Sequence, residues 1–176
     1  SPEDVIPPAL APTKNAALLY ESAWLRLKAE SMGDTDLFSY MADLADEFHQ
    51  DDPNTAKCGE LKRLMETDVV KNALQAVELG AQRAGCRFDV NYEGGINLLL
   101  PHLLEMRQLA KILAAQAHIE AQEGDAPGAW QSITTLLRFA DALRTEPTLV
   151  SQLVRMAIVG LATSTVYHLP DIPLPD

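Results

Sequence analysis

Between residues 29 and 56 the chain carries Glu30, Asp34, Asp36, Asp43, Asp46, Glu47, Asp51 and Asp52, with no lysine or arginine among them. Clustered carboxylates repel one another until a cation or a basic surface neutralises them. The stretch therefore reads as a docking surface for a basic protein partner, centred on Asp43, Asp46, Glu47, Asp51 and Asp52. A divalent-cation site and a merely solvated acidic face are the alternatives, and no EF-hand spacing supports the cation. Asp46-x-x-His49 and His102-x-x-Glu105 each set a carboxylate and an imidazole one helical turn apart, a spacing used by carboxylate-bridged metal bundles. The second pair is reversed and sits at a helix start, so the pairs predict capping and surface contacts, with no metal and no cofactor.

Nucleophile signatures are absent from the sequence: it has no Gly-x-Ser-x-Gly, Ser-x-x-Lys, His-Glu-x-x-His or phosphate-cradling Gly-x-x-x-x-Gly-Lys. Ser132, Ser151 and Ser164 fall inside helical patterns, where a hydroxyl bonds back to a preceding carbonyl. Cys58 or Cys86 could act as a thiolate only beside a positioned histidine. His118 is expected to be partly exposed. The second recognition candidate is the stretch from Gly85 to Gly95, which lacks helical period and mixes aromatic with charged side chains: Arg87, Phe88, Asn91, Tyr92 and Glu93. The competing reading is that Phe88 and Tyr92 pin this loop to the core.

The elements that must hold these groups follow from periodicity. Ala16, Tyr20, Ala23, Trp24 and Leu27 share one face of a helix over about 15–29, and Leu37, Met41, Leu44, Ala45 and Phe48 stripe a second, capped by Thr35. A short helix carries Leu61, Leu64 and Met65, and Thr67-Asp68 opens a fourth with Val70, Ala73, Leu74, Val77 and Ala81 inward. Any short strand is expected in the 85–95 segment. A long helix after Pro101 presents Met106, Leu109, Ala110, Leu113 and Ala117, then stops at Gly124 as a left-handed cap. Asp125 caps a sixth with Ala129, Trp130, Ile133, Leu136, Leu137, Ala140 and Leu143, and both tryptophans are assigned to the core. Thr148 caps a seventh with Leu149, Leu153, Ala157, Ile158 and Leu161. Residues 149–167 hold one charge, Arg155, and approach the length of a bilayer span. Their polar dilution and the lack of basic flanks favour a buried core helix instead, with Arg155 paired to a surplus carboxylate.

Composition agrees with helices. In 176 residues, 24 alanines and 26 leucines stand against 9 valines and 7 isoleucines, which disfavours a mostly β fold. The net charge of −11 repels phosphate backbones, so nucleic acid is excluded as a partner class. Two cysteines are too few for a disulfide framework or a C-x-x-C signature, although a single bridge is open. Prolines crowd 1–14 and 169–176, which read as linkers, and the start at Ser1 reads as a trimmed end. With the lack of redox motifs, that start favours a bacterial extracytoplasmic setting.

Glu123-Gly124-Asp125 followed by Ala129 resembles the turn and small-residue packing position of tetratricopeptide-type helical hairpins. On that alignment Leu113 and Ala117 take first-helix positions and Ile133 and Leu136 second-helix ones. The match spans about 30 residues; Glu120 stands where an aromatic is usual, and the closing proline is missing. Residues 86–169, with Leu100-Pro-His-Leu103 and Glu146-Pro-Thr-Leu-Val-Ser-Gln-Leu153, are also similar in style to bacterial envelope-associated helical proteins. The resemblance implies an αα-hairpin array and a protein-binding role. The sequence thus predicts one all-α domain over 15–168, about seven antiparallel helices in a hairpin array or irregular bundle. Its expected role is that of a non-catalytic interaction module using the acidic surface and the 85–95 loop. A helical pocket for an apolar small molecule, and then a metal- or thiol-dependent enzyme, are the alternatives.

Overall fold

A computed structural model describes residues 9–50, 52–90, 100–170 and 172–173. Among the described residues seven α-helices pack antiparallel: α1 (Ala17–Lys28), α2 (Leu37–Ala45), α3 (Thr55–Met65), α4 (Asp68–Ala81), α5 (His102–Gln122), α6 (Ala126–Asp141) and α7 (Leu149–His168). Helix α1 lies on α4, α2 on α5 and α3, α5 on α6, and α7 on α5 and α6. The all-α expectation stands.

The starts follow the capping chemistry, with two shifts. Asp125 accepts from the Gly128 amide at the head of α6, and Thr148 accepts from the Ser151 amide at the head of α7. For α2 the cap is Asp36, which accepts from the Ser39 amide, and not Thr35. Thr35 is instead taken by a two-stranded hairpin, β1 (Ser31–Met32) against β2 (Thr35–Asp36), turned by Gly33 at φ 70°. The short hairpin thus lies at 31–36; of the 85–95 segment expected to hold a strand, the described residues 85–90 hold only an isolated bridge from Gly85 to Asn15, and 91–95 lie outside the described residues. Thr67 precedes α4, but its hydroxyl bonds back to the Leu64 carbonyl. Gly124, at φ 82°, supplies the left-handed stop that lets α5 and α6 close as a hairpin.

The core is centred on α5, in which Met106, Leu109, Ala110, Ile112, Leu113, Ala114 and Ala117 are all buried. Tyr20 and Phe139 meet edge to face at 4.7 Å and join α1 to α6. A side chain at Gly80 would approach Tyr20 Cε1 to 2.6 Å, so glycine there lets α1 and α4 close on each other. Helix α7, expected at the centre, is the departure. Leu149 is 74% exposed and Leu153 51%, and only Ser151, Ile158, Ala162 and Thr165 of α7 are buried. The inward face of α7 is thus narrow and half polar, with Ile158 at its centre and Val154 and Leu161 against the core at its edges, while Leu149, Leu153, Met156 and Tyr167 are exposed.

Candidate functional site

Asn15 positions the chain that leads into the predicted recognition loop. Its side chain accepts from the Arg87 amide and donates to the Arg87 carbonyl, each at 2.8 Å, as a strand partner would. Arg83 reinforces the clip through the carbonyls of Pro12 and Asn15. Beyond it Phe88 turns inward and is buried between the Trp24 ring, 6.0 Å away, and the His102 ring, 4.4 Å away. Phe88 therefore pins the loop to the core, and Arg87 is half-buried with its backbone engaged. Asn91, Tyr92 and Glu93 lie outside the described residues.

Under Phe88 is a polar network that the sequence did not announce. His102 Nε2 lies 2.8 Å from Glu146 Oε1, and Ser151 Oγ donates to Glu146 Oε2. Thr148 Oγ1 lies 2.6 Å from Ser151 Oγ, and Gln152 donates to the Leu143 and Glu146 carbonyls. His102, Glu146 and Ser151 are all buried. The three residue types are those of a hydrolase triad, but the carboxylate separates the imidazole from the hydroxyl, so the histidine takes no proton from Ser151. What the arrangement does is bolt the start of α5 to the α6–α7 turn. Nearby, burial and then the Glu146 charge push the Cys86 thiol up to about 12, and burial raises Cys58 as well. Both cysteines are free and neither is poised as a thiolate, which removes the bridge left open by the sequence.

The acidic region is divided between internal and outward roles. Glu47 is buried, accepts from the Asn54 amide and pairs with Lys57 at 2.5 Å, and these bonds hold its carboxyl below the usual range. Asp46 pairs with Lys111 of α5 at 2.8 Å. Asp43 and Asp52 are exposed, and Asp51 lies outside the described residues. The two carboxylate–imidazole pairs do not converge, since Glu105 pairs with Lys28 at 2.6 Å and His102 with Glu146. Among the described residues no three His, Cys, Asp or Glu side chains come together as a metal site.

His118, expected to be partly exposed, is buried, and its Nε2 has no hydrogen-bond partner. Its ring lies 6.0 Å from Phe48 and 5.7 Å from His49. Burial first, then the charges of His49 and His168, drive its pKa down to about 4. Ser132 also departs from expectation, donating to Glu120 at 2.6 Å and not to a backbone carbonyl. Trp24 is in the core, whereas Trp130 is half-buried and donates to the Pro173 carbonyl at 2.8 Å.

The outward side of α7 is the largest feature that the sequence reading missed. Leu149, Leu153, Met156, Gly160, Thr163 and Tyr167 recur at steps of four and three along one exposed line, without a charge. Met156 is 60% and Tyr167 85% exposed. The only ionic side chain of the helix before His168, Arg155, is held by Asp141 at 2.8 Å. Beside this line, Ile133, Leu137, Ala162, Thr163, Val166 and Tyr167 bound an open groove of about 330 Å³ between α6 and α7. By length and composition α7 could cross a membrane. Crossing would strip Glu146 of Ser151, Asp141 of Arg155 and two carbonyls of Gln152, and so works against a span. A second cleft of about 370 Å³, between the Gly85–Cys86 turn and the end of α6, is rimmed by Arg83, Arg138, Asp141 and Arg144. Compared with protein-family models, with curated proteins and with solved structures, the chain shows no match.

Proposed function

We propose that this protein is a non-catalytic helical interaction module whose principal contact face is the outward side of α7. The observation that carries this reading is the long uncharged line from Leu149 to Tyr167, exposed along a helix that polar bonds fix to the bundle. Contiguous apolar surface of this extent costs free energy in water until something covers it. The α6–α7 groove gives a partner's side chains a place to enter. The carboxylates of Asp43 and Asp52 are exposed at the surface and favour a partner with a basic rim. The engaged state of Glu47, Asp46 and Phe88 supports structural duties for those three.

A photo-crosslinking amino acid placed at Met156, with a control at Gln75 on α4, tests the proposal in native cells. Protein adducts at 156 and none at 75 are the expected result. Equal, sparse labelling at both positions would overturn it.

A further inference from the structure

Resting on the α7 reading, we infer that the partner is a second copy of this chain, with the two α7 helices packed antiparallel about a two-fold axis opposite Ile158. The six outward positions lie within roughly 40° of one line along the helix, directly away from buried Ile158. Their spacing of four, three, four, three and four is a coiled-coil seam. It is also a palindrome centred on Ile158. An antiparallel copy therefore sets Leu149 against Tyr167, Leu153 against Thr163 and Met156 against Gly160. The two inner pairs place a large side chain on a small one. The Gly160 position is open, with nothing of its own chain within 4 Å of an added Cβ, and can receive the Met156 side chain. A parallel pairing instead opposes Met156 to Met156 and Gly160 to Gly160, a clash beside a void. An isologous two-fold contact needs this kind of self-complementary patch.

Area and charge agree. The exposed seam with its flanking Val159 offers on the order of 700 Å² per copy, so a dimer that covers it fully buries up to about 1,400 Å², within the range of a stable interface. No charge is desolvated, because Arg155 keeps Asp141. Each copy carries −11, so the two repel at long range and the dimer tightens as salt is added.

Sedimentation equilibrium of the full chain tests this, with Leu153→Lys/Met156→Lys as the variant. The wild type is expected to dimerise, more tightly at high salt, and the variant to associate at least tenfold more weakly with unchanged helix content. Orientation is read by thiol cross-linking in a Cys58→Ala/Cys86→Ala background. Met156→Cys/Gly160→Cys should give covalent dimers and Leu149→Cys alone should not, because antiparallel copies separate the two 149 positions by roughly 27 Å. This readout also decides the matter if the lysine variant fails to fold. A monomer at every concentration overturns the inference, as does a monomer that floats with phosphatidylcholine vesicles, or cross-linking through Leu149→Cys, which a parallel pair gives and an antiparallel pair does not. The module reading fails separately, through the absence of any adduct at position 156 in cells.

Discussion

At the scale of the residue, the side chains with chemical potential are mostly committed to holding the fold. Ser151 is the clearest case, because its hydroxyl is one of two donors to the buried Glu146 carboxylate. Ser151→Ala leaves Glu146 Oε2 without that donor and should cost about 1–3 kcal/mol, measured by urea unfolding. His118 sets an acid limit. Its folded pKa of about 4 lies below the ordinary 6.5, so the unfolded chain binds the proton more readily between those values. Stability is then full above pH 6.5 and falls as pH drops towards 4, by at most about 3 kcal/mol for this group. His49, also depressed by burial, adds in the same direction, whereas Glu120, raised by burial, opposes both at the acid end. His118→Phe should flatten the loss between pH 6.5 and 5, and an unchanged slope would show that the ring is not responsible. None of this was legible in sequence, since His118 meets Phe48 and His49, and Glu146 meets His102 and Ser151, only once distant segments pack together.

At the scale of the element, the sequence was most informative where local chemistry decides. Gly124, Asp125 and Thr148 act at their own positions as predicted, because a left-handed cap and a side-chain cap need only a few neighbouring residues. The Gly33-Asp34 turn is also a local hairpin signal, and it takes Thr35 into a strand and leaves the cap of α2 to Asp36. Helix α7 shows the limit of periodicity. A helix apolar on every side looks the same in sequence whether its neighbours surround it or only support one flank. Small residues at Ile158's neighbouring inward positions, Ala162 and Ser151, carried the hint that the buried face was the less bulky one. The α1–α4 contact gives the prediction at this scale. Gly80→Ala gains roughly 1 kcal/mol of helix propensity but drives a methyl into the Tyr20 ring. A net loss of about 1–2 kcal/mol is expected in chemical denaturation, and a net gain would mean that the two helices separate at little cost.

At the scale of the whole molecule, the chain has a core built on α5 and one large surface without internal employment. The candidate site read from the sequence was drawn to charge, yet Glu47, Asp46 and Phe88 are absorbed by the fold and the uncharged line along α7 is left outside. If the outward side of α7 is the contact face, a partner covers this line in the cell. Methionine oxidation footprinting addresses it directly, because Met156 is 60% exposed while Met41 and Met106 are fully buried and serve as slow internal references. In dilute purified protein Met156 should oxidise far faster than Met41 and Met106. In intact cells Met156 is expected to be protected towards the rate of those references, and oxidation there as fast as in the dilute protein would show that nothing covers α7.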